Sequence, residues 1–241
     1  MNDWTTSHDR VPTQRNDEGW MFLTEAARDM HTTGAIAPSG KALARALTAP
    51  VRAQAPSPLA VLEAGAGTGA VTRTLIPELP RGSRLDIAEA NPRFAGRLRH
   101  LVTTHPHLAA KPAEVTVHQT YVEQFDTDQQ YDVIVSGLPL TNFTPVQVER
   151  IMARYMQLLH PGGTLTYFAY LGTRKARALT ASRAEARRHA AVDEIMATYQ
   201  RTYATARWMV WANVPPAYVW HLQRPLVSAD QPTPQFDGTR R

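Results

Sequence analysis

The sequence predicts an α/β protein with a mostly parallel β-sheet. Short apolar runs bounded by glycine or proline recur along the chain, helix-forming segments separate them, and a glycine-rich turn follows the first run. Strands that alternate with helices form βαβ units, which align parallel strands and cover both faces of the sheet. We therefore expect one large α/β domain that binds a ligand at the carboxyl ends of its strands.

The segments before the sheet predict helices. Residues 1–17 are polar with scattered charges and predict a disordered terminus. Residues 18–57 predict N-terminal helices, the first of them over 18–30, where apolar side chains recur at helical spacing. In the next helix Ser39 follows a proline and is expected to be the N-cap. These helices would lie against the membrane or the substrate as a lid.

The central part of the chain alternates strands and helices. A helix is expected over 67–79, Asn91 is expected to cap the next, and Thr144 opens a capping box for a third. Pro161–Gly163 is expected to interrupt the chain before the fifth strand. The predicted strands lie at 58–65, 83–90, 113–120, 131–137 and 164–170.

The end of the chain departs from this alternation. Residues 174–201 predict a long basic amphipathic helix, and 206–214 and 217–224 predict two strands. The short connection between these strands cannot hold a crossover helix, so we expect them to be antiparallel. Residues 225–241 are rich in proline and predict a flexible tail.

Composition narrows the classes of function. The 241 residues are 43% hydrophobic, enough for a substantial core. There is no cysteine, which excludes a disulfide framework, a cysteine zinc site, an iron–sulfur cluster and a thiol nucleophile, and we expect no metal. The net charge of +5 suits an anionic partner. No apolar run is long enough to span a bilayer and no signal peptide is visible, so we expect a cytoplasmic protein, peripherally associated with the inner face of the membrane.

The turn after the first predicted strand carries the main ligand signal. Residues 63–69 read EAGAGTG, and an acid, Glu89, follows 20 residues after Gly69, where it can accept both hydroxyls of a ribose. Residues 65–70 also satisfy a loose dinucleotide pattern. Against it, Glu63 would repel a pyrophosphate, the third glycine comes one residue early, and the terminal antiparallel strands do not belong to the dinucleotide fold. A tight turn that binds nothing is the remaining alternative.

At these residues the sequence resembles the class I S-adenosylmethionine-dependent methyltransferases. VLEAGAGTG (61–69) resembles their first motif and LDIAEAN (85–91) their second, and the resemblance covers residues 58–224. It implies a Rossmann-like domain with a seven-stranded, mostly parallel sheet, one antiparallel strand and an N-terminal helical extension, with S-adenosyl-L-methionine as cofactor. It implies these cofactor-binding residues: Glu63, Gly65, Ala66, Gly67, Thr68, Gly69, Glu89, Ala90, Gln119, Thr120, Tyr121, Ser136, Gly137 and Leu138.

The assignment after strand three departs from the family pattern. Many relatives have Gly-Asp-Ala there, with the aspartate on the adenine amino group, whereas this chain has Gln119, Thr120 and Tyr121. Gln119 or Thr120 would have to accept that hydrogen bond instead.

Closer likenesses point to the bacterial phospholipid N-methyltransferases, which convert phosphatidylethanolamine to phosphatidylcholine. Segments 34–47, 136–143, 166–172 and 213–220 resemble that family, the last through its Pro-Pro pair. The resemblance implies methylation of phosphatidylethanolamine and of its mono- and dimethyl forms at a membrane surface.

Three other functions remain open. Ribosomal RNA adenine dimethyltransferases carry an Asn-Leu-Pro-Tyr-like motif after strand four, where residues 137–140 here read Gly-Leu-Pro-Leu. The amide that would hold a planar amino group and the ring that would stack on an extruded base are both missing, which disfavours RNA. A small-molecule methyltransferase and a catalytically silent cofactor-binding adaptor are the other two.

Candidate catalytic and lipid-binding residues follow from an amine acceptor. Tyr170, at the end of strand five, is the first candidate to orient the amine and to hold methylated ammonium by cation–π attraction, with Tyr167 behind it. Asn142 could accept a hydrogen bond from the amine. The structural alternatives are that Tyr170 is an aromatic residue of the core and that Asn142 only stabilises the turn before Pro145. The candidates for contacts to the lipid are Lys41, Pro139, Leu140, Arg174 and Lys175.

Two segments could contact a membrane. Helix 18–30 carries an apolar cluster suited to a lipid interface, although it could equally dock on the core of the protein. The helix after strand five is rich in arginine and could bind anionic lipid, or be a solvated face. RNA could bind to the same positive charge. Nucleic acid therefore remains an alternative partner to an anionic phospholipid surface. The expected membrane-binding residues are Trp20, Met21, Phe22 and Leu23.

Overall fold

The computed structural model describes residues 38–110, 113–171, 183–213 and 216–226. Their helices and strands alternate through the centre of the chain and end in a strand pair. The strands are β1 Ala60–Ala64, β2 Arg84–Ala88, β3 Glu114–His118, β4 Tyr131–Ser136, β5 Leu159–Tyr170, β6 Ala204–Val210 and β7 Ala217–Gln223. The helices are α1 Pro38–Leu47, α2 Ala49–Gln54, α3 Thr72–Glu78, α4 Pro92–Thr104, α5 Pro106–Ala110, α6 Pro145–Leu158 and α7 Arg183–Tyr203, with short 3₁₀ turns at Val122–Gln124 and Leu140–Asn142.

All seven strands form one sheet in the order β3-β2-β1-β4-β5-β7-β6. The pairs among β1 to β5 are parallel, and β7 is antiparallel to both β5 and β6. The sheet therefore has six parallel strands and one antiparallel strand, which confirms the Rossmann-like fold that the sequence predicts. The strand order reverses between β1 and β4, and an open α/β sheet binds ligands beyond the carboxyl ends of its strands at this point.

Helices cover both faces of the sheet. On one face, α1 to α4 contribute to a core that also contains Val61 of β1, Val133 of β4 and Val219 of β7. On the other face, α6 buries Ile151, Met152 and Tyr155. Apolar strand residues therefore face covered surfaces on both sides, as the parallel strands require.

Side-chain caps set the starts of two helices. Asn91 Oδ1 accepts hydrogen bonds from the backbone N–H groups of Arg93 and Phe94 at the start of α4. Thr144 and Gln147 form the predicted capping box of α6. The expectation for Ser39 is wrong: α1 already begins at Pro38, so Ser39 lies inside its first turn. Proline is favoured at the first position of a helix, and here it sets the start one residue earlier than the predicted cap.

The predicted break before strand five is also wrong. Strand β5 starts at Leu159 and continues through Pro161 to Gly163 with a register shift against β4. Hydrogen bonds from Gly162 N–H to the Arg224 carbonyl (2.8 Å) and from Arg224 N–H to the Gly163 carbonyl (2.9 Å) hold this irregular stretch. Pairing with a distant segment therefore keeps the strand continuous.

Several predictions lie outside the described residues. They concern residues 1–37, which include helix 18–30 and its membrane-binding cluster, and residues 227–241 of the predicted tail. The predicted basic helix begins at Arg183 in the structure, and 172–182 are likewise outside. No helix within the described ranges is long and apolar enough to cross a membrane.

Candidate functional site

The glycine loop between β1 and α3 forms the floor of the candidate site. Gly65 and Gly67 have φ angles of +70° and +55°, in the left-handed region that glycine adopts without strain. A Cβ placed on Gly67 would meet nothing within 4 Å, so this backbone faces open space. The helix begins only at Thr72, later than predicted, because residues 68–71 remain in turns. The loop leaves room for a ligand to approach the backbone closely.

Glu89 connects the glycine loop to the end of β2. It is 7% exposed, its Oε2 accepts a hydrogen bond from Gly67 N–H (2.8 Å), and its Oε1 accepts one from Asn91 N–H (2.8 Å). Burial raises the pKa of the Glu89 carboxyl. Each carboxylate oxygen can accept a second hydrogen bond, so the capacity to bind two hydroxyls remains. Ala90, which follows Glu89, is half-buried.

Glu63 is a buried carboxyl group beside the same loop. It is 1% exposed, and neither carboxylate oxygen has a hydrogen-bond partner that satisfies the usual geometry. Burial raises the pKa of Glu63 to about 8, and the charge of Glu89 acts in the same direction. The side chain and backbone of the neighbouring Thr72 act in the opposite direction and lower the pKa of Glu63, but the effect of burial is larger. Buried unpaired carboxyl groups are costly, and a cation bound above the loop would compensate this one.

The end of β4 approaches the glycine loop from the other side. Gly137 N–H donates to the Ala64 carbonyl (2.8 Å), and a Cβ on Gly137 would lie 2.6 Å from the Gly65 carbonyl oxygen. A Cβ on Gly65 would in turn overlap the Leu138 side chain. Gly137 is therefore required by the close approach of two backbone segments and Gly65 by its positive φ, and Leu138 forms an aliphatic wall over the loop.

Ser136 has a different environment from its neighbours. It is fully buried, and its hydroxyl oxygen accepts a hydrogen bond from the Tyr155 hydroxyl of α6 (2.9 Å). The structure thus connects this predicted cofactor residue to the helix under the sheet. Its position at the end of β4 is as predicted, and its contact with a cofactor stays a prediction.

Residues 138–143 continue as a compact turn. Leu140 is 3% exposed, and the Leu140–Asn142 3₁₀ turn places Asn142 at the carboxyl edge of the sheet. Arg188 of α7 donates to the carbonyl oxygens of Asn142 (3.2 Å) and Phe143 (3.0 Å). An arginine that is distant in sequence therefore positions this turn, whose Pro139 is half-buried.

The two tyrosines of β5 lie on opposite faces of the sheet, because alternate residues of a strand point in opposite directions. Tyr170 packs against the core on the α1 side, burial raises the pKa of its hydroxyl, and Asn213 hydrogen-bonds to it. Tyr167 is 1% exposed and accepts a hydrogen bond from Gln200 Nε2 of α7 (2.8 Å). Tyr167, the second candidate, therefore lies on the opposite face of the sheet from Tyr170, and both catalytic roles stay predictions.

The loop after β3 contains the predicted adenine contacts. Gln119 is exposed, and the Thr120 hydroxyl donates to the Tyr121 carbonyl (3.2 Å). The Thr120 oxygen can still accept a hydrogen bond, as the expected adenine contact requires. These assignments stay predictions.

The structure does not bring all of the predicted lipid contacts together. Lys41 is exposed on α1, and Arg174 and Lys175 lie outside the described residues. Sequence reasoning missed two residues that support the site, Asn213 and Arg188. Asn213 belongs to the segment that resembles the family hairpin, and that was the only signal for it; Arg188 lay within the predicted basic helix without a distinct role.

Comparisons with known proteins agree with this architecture. Residues 61–163 match the family described as "Methyltransferase domain". The structure of NodS, an N-methyltransferase from Bradyrhizobium japonicum in complex with S-adenosylhomocysteine, matches with a TM-score of 0.60 at 20% identity. The match covers 87% of this chain and 100% of the NodS chain. The structure of a 1,6-didemethyltoxoflavin-N1-methyltransferase from Burkholderia thailandensis matches with a TM-score of 0.57 at 16% identity. This match covers 90% of this chain and 93% of the other chain. At these identities the likeness concerns the fold.

Two curated relatives match part of the chain. "Alpha N-terminal protein methyltransferase 1" of Drosophila melanogaster is 32% identical over 104 residues, and "Ornithine lipid N-methyltransferase" of Singulisphaera acidiphila is 32% identical over 105. The matches span 43% of this chain and only 36% and 54% of those proteins. The fold, the glycine loop and the matched residues lead to one conclusion: the chain has the Rossmann-like fold of the class I methyltransferases, and S-adenosyl-L-methionine is its supported cofactor.

Proposed function

We propose that the protein transfers methyl groups from S-adenosyl-L-methionine to the amine of phosphatidylethanolamine, and then to its mono- and dimethyl forms, making phosphatidylcholine at a membrane surface. The observation that carries the proposal is the aliphatic wall that Leu138 forms beside the glycine loop. A wall of this kind suits an aliphatic amine, whereas an extruded base needs a stacking ring. The lipid N-methyltransferase among the relatives supports the same substrate class.

The residues around the glycine loop fit the cofactor. S-adenosyl-L-methionine supplies an electrophilic methyl group when bound. Glu89 would hold the ribose hydroxyls through the remaining lone pairs of its carboxylate. Glu63 would face the cationic part of the ligand, which is the compensation that its unpartnered oxygens lack. Gly67 would let the ligand approach the backbone.

The acceptor amine has to be neutral when it reacts. An alkyl amine of the lysine type titrates near 10.4 in water, and burial beside another cation favours its neutral form. An ordinary tyrosine hydroxyl is already protonated at neutral pH, and burial raises the pKa of Tyr170 further, so Tyr170 would orient the amine rather than remove a proton. Its ring would attract the methylated ammonium product.

A second candidate acceptor is the α-amine at a protein N-terminus. The specific observation that favours it is the match to an α-N-terminal protein methyltransferase, at the same identity as the lipid enzyme. Both candidates are aliphatic amines, so the cofactor half of the site would serve either one. The acceptor half must discriminate between them.

The test uses the purified full chain, S-adenosyl-L-methionine with a labelled methyl group, and three acceptors in parallel. These are vesicles of phosphatidylethanolamine with phosphatidylglycerol, a peptide with a free N-terminal amine, and unmodified small-subunit ribosomal RNA. We expect label in mono-, di- and trimethylated lipid. Label only in peptide or only in RNA would overturn the proposal.

Two matched variants test the acceptor site. Tyr170→Phe should lower kcat on lipid by roughly tenfold or more with unchanged cofactor affinity, because it removes an orienting hydroxyl at the site. Tyr167→Phe removes a hydroxyl from the same strand on the opposite face and should leave kcat within about twofold. Equal effects of the two variants on kcat would contradict the role of Tyr170.

A further inference from the structure

A highly exposed tryptophan lies at the edge of the sheet where the candidate site opens. Trp211 is 71% exposed and directly follows β6. Strand β6 is antiparallel to β7, which is antiparallel to β5, so β6 runs in the direction of β5. The turn after β6 therefore lies at the carboxyl edge, and Asn213 in the same turn reaches Tyr170. Trp211 is thus an exposed aromatic side chain at the edge of the sheet where an open α/β sheet binds its ligand.

Positive charge lies at the same edge. Helix α7 follows β5 and leads into β6, so its first turns are near the carboxyl edge and its end is near the amino edge. The hydrogen bonds from Arg188 to the turn after β4 agree with this direction. Arg183 and Arg187 in these turns are exposed, and Glu185 is the acid between them. The first six residues of α7 thus carry three arginines against one glutamate.

We propose that Trp211 and the exposed arginines Arg183 and Arg187 form a docking surface for an anionic phospholipid bilayer. The inference rests on the proposed function, because a lipid substrate has to enter at the carboxyl edge. Tryptophan favours the interface between lipid and water, and arginine favours anionic headgroups. A protein partner would be expected to bury a larger apolar patch with few charges at its centre. Docking at this edge turns the candidate site toward the lipid.

The structure offers a matched control for the apolar contact. Leu226 is 74% exposed, nearly the same fraction as Trp211. It lies beside Gly162, near the start of β5 and therefore at the amino edge of the sheet. A serine at either position removes an exposed apolar side chain without opening a core cavity. Only Trp211→Ser, at the carboxyl edge, should weaken binding to a bilayer that docks at that edge.

The experiment measures flotation of the full chain with vesicles of phosphatidylethanolamine and phosphatidylglycerol. Trp211→Ser should weaken vesicle partitioning by roughly five- to tenfold, while Leu226→Ser should match the wild type. Arg183→Gln combined with Arg187→Gln should weaken binding at low salt and flatten its salt dependence. Trp211→Phe should retain binding but lose part of the tryptophan quenching by brominated acyl chains. Thermal unfolding of each variant checks that it is folded.

The outcomes separate the docking surface from the proposed reaction. Equal partitioning of Trp211→Ser and Leu226→Ser, or no vesicle binding by the wild type, would overturn the docking surface. Methylation of phosphatidylethanolamine in detergent micelles would still support the reaction in that case. Vesicle binding through Trp211 without methylation of any lipid would overturn the reaction and leave the docking surface standing.

Discussion

The carboxylate of Glu89 accepts a hydrogen bond from the backbone N–H of Gly67, and so joins the end of β2 to the glycine loop at a distance of 2.8 Å. A group proposed to bind the ribose therefore also fixes the conformation of the loop beneath the cofactor. The loop and its acid act as one unit, and the loss of either should affect the other.

Replacing Glu89 by alanine should raise the Kd for S-adenosylhomocysteine by about 10- to 100-fold. The change removes hydrogen bonds of a charged group, each worth about 1.5–3 kcal/mol. Isothermal titration calorimetry measures the effect. Asp132→Asn is the matched control, because Asp132 Oδ2 also accepts a backbone N–H, that of Ala60 (2.8 Å), but at the start of β1. A similar loss of affinity in both variants would contradict a local role for Glu89.

Alanine at two glycines should separate binding from folding. At Gly67 a Cβ meets no protein atom, so Gly67→Ala should cost about 1–2 kcal/mol of stability for its positive φ and lose most cofactor affinity. At Gly137 a Cβ would lie 2.6 Å from the Gly65 carbonyl oxygen, so Gly137→Ala should destabilise the fold more strongly. Chemical denaturation and ligand titration of both variants measure the two effects. The reverse order of stabilities would show that the space above Gly67 is filled by protein.

The buried carboxyl of Glu63 should make stability fall as pH rises. Its pKa is about 8 in the fold against 4.5 for the ordinary group, so its contribution is fully present below pH 4.5 and is lost as pH rises toward 8. Glu63→Gln should therefore raise Tm at pH 8 by several degrees relative to wild type, with a smaller gain at pH 5. Differential scanning calorimetry at the two pH values measures this difference.

The same group should couple cofactor binding to pH. A cation at the loop favours the ionised carboxylate, so the affinity of the wild type for S-adenosyl-L-methionine should increase between pH 6 and 8. The increase should disappear in Glu63→Gln. An equal pH dependence in both proteins would assign the effect to another group.

His221 should make the protein sensitive to acid. Burial lowers its pKa to about 4, and its ring hydrogen-bonds to the backbone of Ala46 in α1. The ordinary value is 6.5, so the stability contributed by the neutral ring is present above pH 6.5 and is lost as pH falls toward 4. His221→Asn should show a smaller drop in Tm from pH 7 to pH 4.5 than wild type. His160→Asn, at an exposed histidine, is the control and should behave as the wild type does.

The sequence predicts local features better than distant pairings. The caps at Asn91 and Thr144 depend on a few adjacent residues, and they are confirmed. The break at Pro161–Gly163 was wrong because its backbone is held by Arg224, which is 61 to 63 residues away. Strand alternation alone could have separated Tyr167 from Tyr170, since three residues along a strand change the face.

The contacts that support the site also join residues that are distant in the sequence, so local patterns do not predict them. Asn213 reaches Tyr170 from the hairpin, and Arg188 reaches Asn142 from a helix three elements further along the chain. No local pattern marks either residue for its task, since both tasks exist only after the sheet has assembled. The glycine loop could be predicted because its function requires a fixed spacing within one segment.

The antiparallel strand β7 lies between β5 and β6, although it is the last strand in the described part of the chain. During synthesis, the outer edge of β5 therefore has no neighbour until residues 217–223 have left the ribosome. Unpaired edges of this kind are templates for aggregation, and here the edge includes Phe168 and Tyr170. A truncation before Ala217 should thus yield an insoluble protein rather than a shortened enzyme.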